Sequence, residues 1–105
     1  MFDLEEYIAE QIQFSIKAFG PGERTSGTVD HIEKEIEEIV NSDGQDLSEW
    51  IDVVILALDG AWRSGNTPKQ ITTALRAKLD KNKLRKWPDW RTADPGKAIE
   101  HIRDE

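Results

Sequence analysis

Apolar residues recur every three or four positions along most of the chain, and strand-like alternation is almost missing. Such spacing places apolar side chains on one face of a helix, so it predicts a series of amphipathic helices. The first predicted helix covers residues 3–19 and ends at the Gly- and Pro-containing loop of residues 20–27. Its apolar face carries Leu4, Ile8, Ile12, Ile16 and Phe19.

Residues that favour helix starts divide the rest of the chain into further helices. Thr28 is the expected cap of the second helix, and Asp46 with Glu49 forms a capping-box pattern for the third. Thr67 followed by Pro68 indicates the start of a fourth helix. We predict an all-α fold with four main helices and a short C-terminal helix. The later helices are expected at residues 28–40, 46–63, 67–86 and 95–103.

The third predicted helix is apolar on nearly all sides. Between Trp50 and Trp62 its only charged residues are Asp52 and Asp59. A helix of this kind is buried on most sides, and a chain of 105 residues forms only one modest core. We therefore expect a second copy of the chain to cover part of this helix, in a homodimer or homotetramer that completes the bundle.

The overall composition excludes several classes of function. The chain has 105 residues, which fits one domain spanning residues 1–105, and a net charge of −7. This acidic balance argues against nucleic acid or an anionic membrane as the partner. The N-terminal residues lack the pattern of a signal peptide, and the longest apolar stretch is too short to span a bilayer. We therefore expect a cytoplasmic protein.

The absence of cysteine limits the chemistry of any metal site. A metal would have to bind oxygen ligands or one of the two histidines, which favours Mg²⁺ or Mn²⁺. Charge is also distributed unevenly: residues 1–62 hold 15 acidic and 3 basic side chains, whereas residues 63–105 hold 11 basic and 6 acidic ones. The two parts either attract each other in the fold or divide the work of a metal–phosphate site.

Asp52 is the most informative single carboxylate. It lies within the apolar run of the third helix, where a buried charge is costly unless it is compensated. An ion pair with a cation such as Arg63 or Lys78 would compensate it, and so would a metal ion. Other acidic residues nearby in sequence favour the metal ion over the ion pair.

Asp52 has three acidic neighbours in the expected helical hairpin. Glu49 precedes it by three residues on the same helix face, and Glu35 and Glu38 have the same separation on the second helix. Four converging carboxylates would repel one another unless they held a divalent cation. Alternatively, Glu38 belongs to a solvated face and Glu49 serves only the helix cap. His31, one turn before Glu35, is expected to pair with a carboxylate or to support the site.

Two further sets of residues are candidates for substrate binding. On the fourth helix Lys78, Asn82 and Arg85 continue an apolar stripe with polar groups that suit phosphate oxygens, although lysine and arginine near a helix end also extend towards solvent without a ligand. On the first helix Ser15 lies near the centre of the apolar face, beside Ile12. Ser15 is either a packing residue or, with Ile12, part of a nucleobase pocket.

Several sequence strings resemble one family of enzymes. The pattern Glu35-x-x-Glu38 followed by Glu49-x-x-Asp52 resembles the metal motif of the all-α nucleoside triphosphate pyrophosphohydrolases, the MazG and dimeric dUTPase superfamily. Three strings resemble, more narrowly, a MazG-like branch of phage and bacterial dATP/dGTP pyrophosphohydrolases. They are HIEKE at residues 31–35, LSEWIDVVILALDGAWR at 47–63 and WPDWR at 87–91.

The resemblance implies a metal-dependent cut between the α- and β-phosphates of purine deoxynucleoside triphosphates, giving a monophosphate and pyrophosphate. It also implies a link to phage genomes that carry 2-aminoadenine, and hence action in a host cytoplasm. In the implied site Mg²⁺ or Mn²⁺ binds the acidic motif, Glu38 orients the attacking water, and the polar residues of the fourth helix hold phosphates. The alternative is a non-catalytic helical module for nucleotide sensing or protein interaction. The implied metal ligands are Glu35, Glu38, Glu49 and Asp52, and the implied substrate contacts are Lys78, Asn82, Arg85, Ile12 and Ser15.

Overall fold

The computed structural model describes residues 1–103, and its regular secondary structure is almost entirely helical. In this part of the chain the only β pairing is an isolated bridge between Lys86 and Ile102. The predicted all-α fold is therefore confirmed. The helices are α1 (Leu4–Phe19), α2 (Thr25–Asn41), α3 (Leu47–Arg63) and α4 (Pro68–Leu84), followed by a short 3₁₀ helix at Trp90–Thr92.

Side-chain caps explain where three of the helices begin. The Asp3 carboxylate accepts a hydrogen bond from the Glu6 amide at the start of α1. Asp46 accepts from the Ser48 amide at 2.9 Å at the start of α3. At the start of α4, the Thr67 hydroxyl accepts a hydrogen bond from the Gln70 backbone amide at 3.1 Å. In return, the Gln70 side-chain oxygen accepts one from the Thr67 backbone amide at 2.8 Å. The start signals that the sequence showed at Asp46 and Thr67 are therefore confirmed for α3 and α4.

The start of the second helix differs from the prediction. Helix α2 begins at Thr25, with Arg24 at the cap position and no side-chain cap. Thr28 is not a cap but a buried residue within the helix, and its methyl group packs near Gly60 of α3. A Cβ atom at position 60 would lie 3.8 Å from that methyl group, an ordinary van der Waals contact between the two helices.

The predicted short C-terminal helix is wrong. Residues 95–103 form a turn followed by an extended segment. The Asp94 carboxylate accepts a hydrogen bond from the Gly96 amide at 2.8 Å, the type of contact that also begins α3, but here only a single turn forms. Further on, the Ile102 amide donates to the Lys86 carbonyl at 2.8 Å and so pairs with an extended residue rather than with its own helix.

The chain separates into two compact units, Met1–Thr73 and the residues from Ala74 onward, with the boundary inside α4. In the first unit α3 packs against both α2 and α1. The expectation of one domain over residues 1–105 stays a prediction. Within the described residues, no helix has both the length and the apolar character needed to cross a membrane.

Candidate active site

Three glutamates from two helices converge in the first unit. Glu35 and Glu38 lie one turn apart on α2, and Glu49 lies in the first turn of α3. Each offers a carboxylate oxygen, and these oxygens lie within 4.8 Å of one another. The antiparallel hairpin thus brings together three of the four acidic residues that the sequence singled out.

The proximity of these glutamates changes their protonation. The pKa of Glu49 is raised from 4.5 to about 7 by a hydrogen bond with Glu38, by burial, and by its contact and charge repulsion with Glu35. A shared proton between neighbouring carboxylates relieves their repulsion. Glu49 therefore does more than cap α3, which Asp46 already does.

The donor set fits a hard divalent cation. The Glu35 Oε2 and Glu49 Oε2 atoms are buried and have no hydrogen-bond partner. Buried polar atoms without a partner are unusual, and a cation bound by carboxylate oxygens would satisfy them. The second Glu35 oxygen is 3.3 Å from the His31 Nε2 atom, so His31 orients one edge of the cluster, as its spacing suggested.

Asp52, the fourth expected ligand, does not belong to the cluster of three glutamates. It is half-buried and lines the adjacent pocket, which Glu35 also lines. Arg63, which the sequence offered as an ion-pair partner for Asp52, pairs with Asp59 instead. A metal-binding role for Asp52 stays a prediction.

A pocket of about 190 Å³ adjoins the glutamate cluster and is lined by residues of α1, α2 and α3. Its apolar wall contains two aromatic rings, Phe14 and Phe19, which meet edge to face with their centroids 6.3 Å apart. Ile55 and Leu56 of α3 complete that wall. Such a wall suits a flat heteroaromatic ring.

The deep end of the pocket is built around Asp59. Its Oδ1 atom accepts hydrogen bonds from Gln11 and from the Trp62 indole, both at 3.0 Å. Its Oδ2 atom accepts from Ser15 at 2.5 Å and faces Arg63 at 3.5 Å. Burial alone would raise the pKa of Asp59, but the hydrogen bonds from these three neighbours and the Arg63 charge lower it overall.

Arg63 connects this network to the loop between α1 and α2. It is buried, and its guanidinium donates to the carbonyls of Gly20 and Gly22, both at 2.9 Å. Its other terminal nitrogen donates to the Ser15 hydroxyl at 2.8 Å. Both glycines have positive φ angles, of 84° and 89°, which other residues rarely adopt.

The two sequence candidates on α1 have different positions. Ser15 is buried and lines the pocket, where its hydroxyl is committed to Asp59 and Arg63. Ile12 is half-buried and is not among the pocket-lining residues. Sequence reasoning missed Gln11, although the spacing of Ile8, Gln11 and Ser15 places a polar residue on the buried stripe.

Candidates for phosphate binding lie in the second unit. Lys78 is exposed, whereas Asn82 and Arg85 are half-buried and joined by a 2.8 Å hydrogen bond from the Arg85 guanidinium to the Asn82 amide oxygen. The Trp87 indole donates to the Asn82 carbonyl at 2.8 Å and closes the end of α4. The two half-buried residues thus form a fixed pair, and their role with phosphate stays a prediction.

Comparison with known proteins assigns the chain to a family. Residues 7–105, nearly the whole chain, match the family model described as dATP/dGTP pyrophosphohydrolase. The chain belongs to this family. A curated relative, the dATP/dGTP diphosphohydrolase of Cyanophage S-2L, is 41% identical over 88 residues, which are 83% of this chain and 77% of the relative.

A solved structure extends the likeness to three dimensions. It is the Cyanophage S-2L MazG-like pyrophosphohydrolase bound to dGDP and three catalytic Mn²⁺ ions per active site. The TM-score is 0.74 at 33% identity, with 99% of this chain and 97% of the other covered. The dATP/dGTP pyrophosphohydrolase family and the MazG-like fold expected from the sequence are both confirmed.

Proposed function

We propose that the protein is a metal-dependent pyrophosphohydrolase of purine deoxynucleoside triphosphates. Water attacks the α-phosphorus of dATP or dGTP, the bond to the bridging oxygen breaks, and the products are the monophosphate and pyrophosphate. One observation carries the proposal: Glu35 belongs both to the glutamate cluster and to the wall of an apolar pocket. A base in the pocket would therefore lie next to the group that holds the metal. Family membership and the named activity of the relatives support the same reaction.

The glutamates account for metal dependence. Glu35, Glu38 and Glu49 would hold Mg²⁺ or Mn²⁺, with Asp52 a further candidate at the pocket edge. A cation held there would act as a Lewis acid that activates water and offsets negative charge on the phosphate oxygens. Glu38 is the most exposed of the three glutamates, so it is best placed to take a proton from the attacking water.

Three polar residues of the second unit would bind phosphate oxygens of the substrate: Lys78, Asn82 and Arg85. Arg85 and Asn82 are already fixed to each other, so little side-chain freedom would be lost on binding. The excess of basic residues after position 62 supports this phosphate-binding role.

We also propose that the chain works as a homodimer or homotetramer in the cytoplasm, that of the host if a phage encodes it. Three large apolar residues of α3 are about half exposed in the isolated chain: Trp50 at 50%, Ile51 at 44% and Val54 at 52%. Adjacent α2 exposes Ile36 and Val40. Exposed apolar groups on neighbouring helices are typical of an interface between subunits.

The first experiment is a nucleotide panel. The purified protein is incubated with each of the four dNTPs and four NTPs in Mg²⁺, Mn²⁺ or EDTA, and the products are separated by ion exchange. We expect dAMP and dGMP with pyrophosphate, and no reaction in EDTA. Release of orthophosphate and a diphosphate would instead indicate cleavage between the β- and γ-phosphates. Binding without turnover of any nucleotide would favour a nucleotide-sensing module.

A pair of variants tests whether the glutamate cluster carries the reaction. Glu38→Gln removes a charge from the cluster, and Glu37→Gln removes one from an exposed neighbour outside it. We expect Glu38→Gln to lower kcat/KM by at least about 100-fold, as loss of metal-site interactions commonly does. Glu37→Gln should remain within about twofold of the parent, since a surface charge has little effect. Equal activity of the two variants would contradict the assignment.

A further inference from the structure

The Gln11 side chain is fixed in one orientation at the deep end of the pocket. It is only 8% exposed, and its Nε2 atom donates to the Ile55 carbonyl at 2.9 Å and to Asp59 Oδ1 at 3.0 Å. A carbonyl and an ionised carboxylate accept hydrogen bonds but cannot donate them. The amide nitrogen must therefore face these two groups, and the amide oxygen must point away from them.

That oxygen has no partner within the protein. Gln11 Oε1 is buried and makes no hydrogen bond, although Gln11 lines the pocket. A buried acceptor without a donor is costly, so it is a natural contact for a donor carried by a ligand. The amide cannot rotate to relieve this cost, because rotation would turn its oxygen towards the Asp59 carboxylate.

The polar groups beside Gln11 are already committed. Both oxygens of Asp59 accept hydrogen bonds, and the Ser15 hydroxyl donates to Asp59 while it accepts from Arg63. A ligand that enters this end of the pocket therefore meets Gln11 Oε1 as a free acceptor. Phe14 and Phe19 stand in the same pocket, where they can pack on the faces of a ring.

We propose that Gln11 is a specificity-determining residue whose Oε1 atom accepts a hydrogen bond from the exocyclic amino group of the purine. The inference rests on the proposed function, since it names what that site reads on its substrate. A purine without the amino group would leave the buried acceptor unpaired, which is how a polar pocket rejects an analogue that lacks one donor.

The first test changes the substrate and leaves the protein intact. Wild-type kcat/KM with Mn²⁺ is measured for dGTP against deoxyinosine triphosphate, which lacks the 2-amino group. It is also measured for dATP against deoxyribosylpurine triphosphate, which lacks the 6-amino group. We expect a preference of about tenfold or more for the amino-bearing member of at least one pair. The pair that discriminates identifies the amino group that is read.

The second test changes the protein. Gln11→Met keeps the length of the side chain but removes the acceptor, and Gln13→Met makes the same change at an exposed position of α1. Gln11→Met should bring the discriminating ratio close to one by lowering kcat/KM for the amino-bearing substrate. Gln13→Met should keep the wild-type ratio. Circular dichroism melting shows whether each variant is folded. If Gln11→Met does not fold, the substrate series with the wild type alone tests the role of Gln11.

Failure of this inference differs from failure of the proposed function. Ratios within about twofold for both substrate pairs, or an unchanged ratio in folded Gln11→Met, would overturn the role of Gln11 even with rapid turnover. Absence of turnover would overturn the proposed function instead. In that case calorimetric binding of the monophosphates dGMP, dIMP, dAMP and deoxyribosylpurine monophosphate to the wild type replaces kinetics. Equal affinities within each pair would overturn the inference, and a tenfold preference would support it.

Discussion

The glutamate cluster has its own protonation chemistry even before a ligand binds. Glu49 is held against Glu38 and Glu35, and its pKa of about 7 lies near physiological pH. Its charge state is therefore sensitive to small changes in conditions, including the arrival of a cation. Protons and metal ions compete for the same oxygens. The raised pKa of Glu49 leads to a prediction about stability, and its competition with metal leads to one about affinity.

Without metal, we expect stability to decline as the pH rises. The folded state keeps a proton on Glu49 up to about pH 7, whereas the unfolded chain releases it near pH 4.5. The folded state thus binds more protons between these values, so the free energy of unfolding falls as pH increases through this window and then levels off. Urea denaturation in EDTA at pH 5 and pH 8 measures the change.

The Glu49→Gln variant is the control for this pH effect. It cannot ionise, so the decline should be smaller than in the wild type, and at pH 8 the metal-free variant should be the more stable of the two. The same variant should lose most of its metal-dependent activity. A wild type and variant with parallel stability profiles would show that Glu49 does not titrate near pH 7.

Metal affinity should have the opposite pH dependence. Because Mn²⁺ must displace the proton on Glu49, apparent affinity should weaken by up to about tenfold per pH unit below pH 7 and change little above it. Electron paramagnetic resonance of free Mn²⁺ at pH 6 and pH 8 provides the measurement. The Mn²⁺ affinity of Glu37→Gln should depend on pH in the same way as that of the wild type. An affinity that does not vary with pH would contradict a shared proton in the cluster.

Residue-level prediction from the sequence was best where the partners are local. Four acidic residues stood out because a separation of three residues on neighbouring helices is visible in the sequence, and the three glutamates among them meet in the structure. Gln11 and Asp59 did not stand out, because they are 48 residues apart and their bond depends on how α1 packs on α3. The apolar run of α3 contains two acidic residues, Asp52 and Asp59. Arg63 was a candidate ion-pair partner for Asp52, but in the structure it pairs with Asp59.

At the scale of elements, α3 is the helix to which the other parts of the site are fitted. It contributes Glu49 to the cluster, Ile55 to the pocket, and Asp59 with Arg63 to the network that reaches α1. Helix ends with local caps could be predicted from sequence. The last segment could not, since Ile102 forms its hydrogen bond with Lys86, distant in sequence.

Loss of the Arg63 side chain should loosen this arrangement. Arg63→Met leaves the buried Asp59 carboxylate without its cation, a change that commonly costs about 3–5 kcal/mol. It also removes both hydrogen bonds to the loop glycines. We therefore expect a marked decrease in the free energy of unfolding, measured by urea denaturation.

An exposed ion pair provides the matched control for Arg63. Arg76 and Asp80 pair at 3.1 Å on α4 with about 60% of each side chain exposed, so Arg76→Met should cost under about 1 kcal/mol. Similar losses from the two variants would contradict a structural role for the buried pair. The double variant Asp59→Asn/Arg63→Met should recover part of the loss, because no buried charge remains unpaired.

At the scale of the whole molecule, the half-exposed apolar residues of α2 and α3 form a surface that a single chain leaves uncovered. The sequence predicted that α3 would be buried on most sides, whereas the isolated chain leaves Trp50, Ile51 and Val54 about half exposed. The spacing of apolar residues along the sequence reveals such a face on a helix. The arrangement of the subunits depends on contacts between chains, which that spacing does not encode. A shared interface would explain why so much apolar surface is retained.

Assembly can be tested by one substitution on this face. We expect the wild type to sediment at two or four times the chain mass of 12.0 kDa. Val54→Lys places a charge on the exposed apolar face of α3 and should shift the protein towards the monomer. Gln13→Lys, at an exposed polar position of α1, should not. A monomeric wild type across micromolar concentrations would contradict the proposed assembly.

The division of the pocket among helices has a consequence for how the enzyme could diversify. Helix α1 supplies Gln11, Phe14 and Ser15 to the pocket, whereas the clustered glutamates come from α2 and α3. If the proposed site is correct, replacement of a few residues on α1 would change which base is accepted and would leave the glutamate cluster intact. Selection, or a library of variants restricted to α1, can search for new substrates without first rebuilding a catalyst.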